Sequence, residues 1–387
     1  MTLKRNSKLF LVLFLGTLSA FGPFVTDLYL PALPTMSSYF NSSTSTIQLT
    51  LTGSMVGLAL GQLLIGPISD KYGRKNPLII SLIVYLISTI AIIIFPNVYA
   101  MIALRFIQGV SSAGAVVISR AISTDLYHGR ELAAFFALLM AVNGLAPILS
   151  PILGSLLLEL TDWRGIFVTL ALIGVILLAV SFKFNESLAI EKRLDLPITK
   201  TYYSIVHVAK NRLFFALVII QGFALATMFA YIAASPFILQ THYSLSPLMY
   251  SLCFGLNSFA IVLGSKNAGN FKEKISIKLG LSLMLLVSIY LAAALTLTLP
   301  FLFIEVGFFF LLLGLGFILP AGSAIAMSLE RERAGSASAF FGFVPFFLGG
   351  VVSPLVGIGN IFHSSAIAIV ICSTISFITF KLVEKKI

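Results

Sequence analysis

The chain has 387 residues, of which 58% are apolar and only 10% charged. A soluble domain carries about 25% charged residues, so this composition excludes a water-facing globular surface and indicates a polytopic membrane protein. The net charge of +11 does not mark a nucleic-acid binder, because the Lys and Arg residues lie in short loops between apolar runs and form no basic face interleaved with aromatics. Cys253 and Cys372 both sit inside apolar runs with no metal-ligand spacing. No nucleophile–base set and no phosphate loop is present, which argues against an enzyme.

Spanning a hydrocarbon core takes about 20 apolar residues in a helix. Runs of that kind occur at about 9–35, 46–68, 76–95, 98–122, 132–157, 163–183, 213–236, 246–265, 276–298, 301–327, 335–358 and 362–381, twelve in all. Lys4, Arg5 and Lys8 precede the first run, which continues through Phe24 and reads as an uncleaved span rather than a signal peptide. Every second connection is basic. One set carries Lys71, Arg74 and Lys75, then Arg130, then Lys192, Arg193, Lys200, Lys210 and Arg212, then Lys266, Lys272 and Lys274, then Arg331 and Arg333, and the tail carries Lys381, Lys385 and Lys386. The opposite set holds only Arg164, beside Glu159 and Asp162. The positive-inside rule then puts both termini in the cytoplasm of a multi-pass protein of the cell's inner (plasma) membrane. Residues 184–212 mix Glu186, Glu191, Arg193 and Asp195 with lysines and read as a cytoplasmic linker. They divide the chain into an N-terminal six-helix bundle, 1–183, and a C-terminal one, 213–387.

The halves repeat each other. Ser150-Pro151-Ile152-Leu153-Gly154 in span five returns as Ser353-Pro354-Leu355-Val356-Gly357 in span eleven, 203 residues on, and Ala134-Phe135-Phe136 returns as Ala339-Phe340-Phe341. Two six-helix halves of this kind are a recurring transporter architecture, with the substrate site at the repeat interface.

Within the spans, Asp27 and Arg105 stand out. An ionisable group in hydrocarbon costs between ~2.5 and ~17 kcal/mol, depending on the scale, and marks a functional site by default. At 1.5 Å per residue their depths in spans one and four differ by only ~3 Å, so the two are placed to pair. The bland alternative is a fixed ion pair holding the spans together. Tyr29, Gln108, Asn143, Gln221, Met228, Tyr231 and Asn257 are candidates to contact a substrate, with helix–helix hydrogen bonding or packing as the alternative role for each. Glu305 lies near the end of span ten and is expected to reach toward the outer interface. Arg120, close to the inner end of span four, is expected to snorkel or to join Asp125.

Four segments carry a resemblance. Gly66-Pro67-Ile68-Ser69-Asp70-Lys71-Tyr72-Gly73-Arg74-Lys75 resembles the signature loop of the major facilitator superfamily, G-x-x-x-D-x-x-G-R-K. The corresponding loop of the second half, Gly264 to Lys274, is degraded. Leu104-Arg105-Phe106-Ile107-Gln108-Gly109 resembles the family's span-four pattern around an intramembrane arginine. The stretch Asn143 to Gly154, with Gly144, Pro147, Ser150, Pro151 and Gly154, resembles the motif of drug:proton antiporters. It departs from that motif in having Ala146 and Ser150 where Gly is expected and Ser155 after Gly154. Thr26-Asp27-Leu28-Tyr29-Leu30-Pro31-Ala32-Leu33-Pro34 resembles the Bcr/CflA branch, linked to bicyclomycin and chloramphenicol resistance. The resemblance implies an all-α membrane protein, with twelve transmembrane helices in two pseudo-symmetric six-helix bundles. It assigns Asp27 and Arg105 to proton coupling, and Gly66, Asp70, Gly73, Arg74 and Asp125 to a gating network. It implies a monomeric exporter of small apolar or amphipathic compounds, driven by the proton gradient without a cofactor and with no nucleic-acid partner. Export of one endogenous metabolite such as a siderophore, proton-coupled uptake, and a transport-inactive receptor or scaffold are the alternatives.

Overall fold

The computed structural model describes residues 7–193, 198–330 and 333–386. Lys4, Arg5 and Arg331 of the basic set and Asp195 of the linker lie outside the described residues, as do the side chains of Lys8, Arg130, Lys192 and Lys200. The described secondary structure is helical throughout. It comprises α1 (Lys8–Asp27), α2 (Leu33–Tyr39), α3 (Thr44–Tyr72), α4 (Lys75–Ile94), α5 (Val98–Leu126), α6 (Gly129–Leu160), α7 (Trp163–Lys183), α8 (Ile198–Ala209), α9 (Arg212–Pro236), α10 (Pro247–Ala268), α11 (Glu273–Thr296), α12 (Phe301–Leu329), α13 (Ala334–Leu355) and α14 (Ile361–Val383). Among the described residues twelve helical stretches are long and apolar enough to cross a membrane, matching the twelve runs read from sequence.

Prolines explain two departures. Span one is not a single helix: α1 stops at Asp27, and a short 3-10 turn, Leu30–Ala32, leads into α2. Pro31 has no N–H for the Asp27 carbonyl and Pro34 none for that of Leu30, so the α-helical ladder breaks where the acid sits. Span seven runs past its expected end, since Pro236 converts the last turns to a π-helix, Phe237–His242, instead of terminating them.

By contact the chain forms two units, residues up to Tyr29 with Gly53–Thr201, and Leu30–Thr52 with Tyr202–Ile387. This division differs from one at the 184–212 segment in placing Leu30–Thr52 with the second half. The physical reason is side-chain hydrogen bonding: Ser45 donates to Pro354 O at 2.9 Å, Gln48 Nε2 to Ala233 O at 2.8 Å, and Thr52 to Gly350 O at 2.9 Å. The 184–212 segment is also more than a connector. Phe184 is fully buried in the first unit, and α8 buries Ile205 and Val208 in the second.

In the first unit α5 packs on α1 and α4, α4 on α7, and α1 on α6; in the second, α12 packs on α10 and α11, and α9 on α13 and α14. The repeat is visible at atomic level. Helices α5 and α12 are both 29 residues long and start 203 residues apart. A Cβ on Gly61 would strike the Val110 carbonyl oxygen and, at 2.6 Å, the Ala113 methyl. A Cβ on Gly264, the residue 203 further on, would strike the Leu313 carbonyl oxygen and, at 2.9 Å, Gly316 Cα. Both partners of Gly264 are again the residues 203 further on. Lipid tails give helices no hydrophobic reason to associate, so close backbone approach at small residues supplies the attraction. Gly61→Val and Gly264→Val are therefore expected to destabilise the protein by similar amounts, on the order of 2 kcal/mol each from overpacking, read as a loss of thermal stability in detergent.

Candidate functional site

The first unit assembles a buried polar cluster from α1, α4, α5 and α7. Asp27 is 7% exposed and Arg105 fully buried. The Thr26 hydroxyl donates to Asp27 Oδ1 at 2.8 Å. Arg105 Nη1 donates to the Val25 carbonyl at 3.0 Å and to Gln108 Oε1 at 2.6 Å. Gln108 Nε2 donates to Thr89 Oγ1 at 2.7 Å, and Thr89 in turn to Tyr85 O at 2.7 Å. The guanidinium carbon stands 4.2 Å from the ring centre of Tyr29 and 5.8 Å from that of Phe167, so two aromatic faces add to the stabilisation of the cation. Its charge acts on the Asp27 carboxylate. The structure thus brings Asp27, Arg105, Gln108 and Tyr29 together.

The span-five motif fixes this cluster from behind. A Cβ on Gly154 would strike the Leu28 carbonyl oxygen, directly after Asp27. Ser150 is fully buried, its hydroxyl without a hydrogen-bond partner among the described residues. Pro147 and Pro151 lie inside α6, which continues unbroken to Leu160. A Cβ on Gly144 would meet nothing within 4 Å beyond its own helix backbone among the described residues. Asn143 donates to Ser19 Oγ and to Leu139 O, tying α6 to α1.

At the other end of the unit the signature loop closes on itself. Gly73 takes a φ of +88°, a conformation in which a Cβ is strained, and it turns the chain so that Arg74 points inward, 5% exposed. Arg74 engages Asp125 bidentately, Nε to Oδ2 at 2.8 Å and Nη2 to Oδ1 at 3.2 Å. Its Nη1 reaches Ser69 at 2.9 Å and Asp70 at 2.5 Å. Burial works against the guanidinium charge, but Asp125 and then Asp70 outweigh it and hold the Arg74 pKa above its ordinary value. A Cβ on Gly66, at the start of the loop motif, would meet Val117 at 3.7 Å, an ordinary van der Waals contact.

Sequence reasoning missed Glu186 here. Its carboxylate accepts from the backbone N–H groups of Arg74 and Lys75 at 2.9 and 3.1 Å, and from those of Ser187 and Leu188 at 3.0 Å each. It therefore caps the positive N-terminal end of α4, and Ser187 adds a hydrogen bond to Asp125 at 2.9 Å. Nothing local signals a contact 112 residues away in sequence. Arg120 does not join this network. It is exposed and makes no hydrogen bond or ion pair among the described residues, whereas the Asp125 oxygens are taken by Arg74 and Ser187.

The remaining candidates lie in the second unit. Gln221 accepts from Ser323 at 3.5 Å, and Met228 is half-buried. Asn257 Nδ2 donates to the Tyr231 oxygen at 3.1 Å and to Glu305 Oε1 at 3.0 Å. The expectation that Glu305 reaches the outer interface is corrected: it is 6% exposed and turns into the bundle, held by the Asn257 amide.

A family model described as the Major Facilitator Superfamily matches residues 9–354. The chain belongs to the major facilitator superfamily. It is a multi-pass membrane transporter of small molecules, not an enzyme. This facilitator is 36% identical to the uncharacterized MFS-type transporter YdgK of Bacillus subtilis over 362 residues, 92% of this chain and 90% of that one. It is 28% identical to the bicyclomycin resistance protein homolog of Haemophilus influenzae over 70% of this chain and 69% of that one. Among solved structures, the xylose transporter XylE from E. coli matches with a TM-score of 0.74 over 97% of both chains at 13% identity, a likeness of fold.

Two predictions follow from this geometry. Asp125→Asn leaves the buried Arg74 guanidinium short of its main counter-charge and is expected to cost on the order of 3 kcal/mol. The Asp70 side chain is 49% exposed, so Asp70→Asn is expected to cost less than about 1 kcal/mol. Unfolding in detergent measures both. Separately, Gly154→Ala forces the Leu28 carbonyl aside and is expected to lower stability by roughly 1–3 kcal/mol, while Gly144→Ala has open space and is expected to keep or slightly raise the melting temperature.

Proposed function

We propose that this transporter is a proton-coupled antiporter that exports small apolar or amphipathic compounds from the cytoplasm by alternating access. The observation that carries the reading is the buried acid–base cluster of the first unit, with Asp27 at 7% exposure and Arg105 at none. A helical bundle needs no such pair to fold, and a scaffold has no use for one. In this reading Asp27 accepts a proton from outside and releases it inside, and Arg105 stabilises the carboxylate in the state that has lost it. The Arg105 hydrogen bonds to Val25 and Gln108 and its stacking on Tyr29 hold the cation in place while the proton leaves.

Moving one charge through 100 mV is worth about 2.3 kcal/mol. At roughly 150 mV one proton per cycle sustains a gradient of a few hundred-fold. The Arg74–Asp70–Asp125 network serves as the gate on the cytoplasmic side. No cofactor is required, the monomer suffices, nucleic acid is not a partner, and both termini face the cytoplasm of a plasma-membrane protein. The export direction draws support from the resistance-named relative and from the close approach of Gly154 to Leu28. That approach keeps the antiporter helix packed on α1 despite Ala146 and Ser150.

Expression in a pump-deficient bacterial host is expected to raise tolerance to a panel of amphipathic antibacterial compounds. Asp27→Asn is expected to abolish the tolerance and pH-driven efflux from proteoliposomes while the protein remains folded. Arg105→Lys is expected to restore only part of what Arg105→Ala loses, because an ammonium cannot reproduce the planar guanidinium contacts. Undiminished pH-driven efflux by Asp27→Asn rules the coupling role out.

A further inference from the structure

The two halves differ at equivalent positions. Helix α9 starts 204 residues after α1, and α12 starts 203 after α5. By those offsets the counterpart of Asp27 is Tyr231 and that of Arg105 is Phe308. Their ring centroids stand 4.7 Å apart, so an aromatic pair replaces the acid and base. An acid nevertheless returns one helical turn earlier on α12, as Glu305. Its setting is complete within the second unit. Asn257 of α10 bridges Tyr231 of α9 and Glu305 of α12 through one amide nitrogen, at 3.1 and 3.0 Å. Asn257 is fully buried and Glu305 nearly so.

The chemistry of this triangle is unfinished. Glu305 Oε2 and Asn257 Oδ1 are both buried without a hydrogen-bond partner among the described residues. No Lys, Arg or His forms an ion pair with Glu305 among those residues. The titratable groups around it are neutral acids: Tyr231 from α9, Tyr250 and Cys253 from α10, and Tyr290 from α11, whose hydroxyl is used on Phe303 O at 3.1 Å. Helix α13, also packed on α12, contains no titratable residue. A buried carboxylate with no counter-charge, offered only the Asn257 amide and the weakly donating Cys253 thiol, is what a single proton would neutralise.

We infer that Glu305, with Asn257 and Tyr231, forms a second proton-binding site, contained in the second unit and independent of Asp27. A proton from water adds to the carboxyl group and no other bond breaks. With the proton on Oε1, the oxygen that faces the amide, Glu305 becomes a donor there, and the idle acceptor on the neighbouring side chain is Asn257 Oδ1. A half-turn of the amide presents that oxygen to the Glu305 and Tyr231 hydroxyls together, so the amide reports the protonation of α12 to α9 and α10. When the proton returns to water the amide turns back. Glu305 is four residues into α12, about 6 Å along the helix from its end, which gives the proton a short path to the aqueous phase. The inference extends the proton-coupled reading and is tested on the protein alone, so its failure leaves the Asp27 reading standing.

The experiment is a pH-difference infrared titration of the purified full chain in detergent, with the proton as the only probe. The Asp27→Asn variant is expected to retain a reversible protonated-carboxyl band. That band is expected to vanish in Asp27→Asn/Glu305→Gln and to shift in Asp27→Asn/Asn257→Ala. A carboxyl spectrum that is the same with and without Glu305 overturns the site, as does a band that follows sodium concentration instead of pH. An Asn257→Ala spectrum without a shift overturns the role given to the amide. If Glu305→Gln fails to fold, Asp27→Asn/Glu305→Asp labelled with carbon-13 glutamate gives the decision: the titrating band loses the isotope shift it shows in labelled Asp27→Asn, and a band that keeps the shift overturns the proposal.

Discussion

A guanidinium with no exposed surface inside an apolar helical bundle must draw its stabilisation from the protein around it. Much of the first unit follows from that requirement. Arg105 needs a carbonyl, and the α1 segment just before the proline break supplies Val25. It needs a side-chain acceptor, and Gln108 supplies one because residues three apart on a helix share a face. Gln108 must then place its own N–H groups, which brings in Thr89 of α4, whose hydroxyl is already turned to the Tyr85 carbonyl. The aromatic faces of Tyr29 and Phe167 close the remaining side. Four helices are thus committed to one cation, and Asp27 sits within its field.

The framework around this cluster is older than the cluster in the sense that both halves share it. Gly61 on Val110 and Gly264 on Leu313 are the same contact made twice, and a contact this tight tolerates little change on either side. Side chains that do not hold helices together are freer to diverge. The first half carries an acid, a base and a closed signature loop. The second carries an aromatic pair, an acid without a base and a degraded loop. Backbone proximity conserves the repeat, and the polar residues placed on it distinguish the halves.

What the sequence revealed and concealed divides along the same line. Twelve spans were legible because each is a local run of apolar residues. The Asp70, Arg74 and Asp125 constellation was legible because its spacing is a motif, and the depth match of Asp27 and Arg105 because helical rise is fixed. The break of α1 at Asp27 was available in principle from Pro31 and Pro34, yet the apolar run across them masks it. Glu186 was not legible: it lies in a segment whose mixed charges suggest a solvated linker, and its partners are backbone N–H groups, which leave no mark on composition. Glu305 misled for a related reason. Distance from a helix end measures depth, whereas burial depends on which neighbour the residue faces, and Asn257 is 48 residues away in sequence.

That distinction bears on how two buried acids in one transporter can behave differently. Asp27 has a permanent cation in its surroundings, so losing a proton there leaves opposite charges close together in a dry interior. Glu305 has an amide, phenols and a thiol, all neutral, so losing a proton there leaves a lone charge stabilised by hydrogen bonds alone. In a medium of low effective dielectric, a nearby cation and donated hydrogen bonds are two different ways to hold a carboxylate. The amide does so only by donating, which is the arrangement seen at Asn257 Nδ2. A neutral bridge of this kind has one further property that an arginine lacks: by rotating, it can serve either protonation state of its neighbour. The base in the first half favours one charge state, whereas the amide in the second can accommodate both.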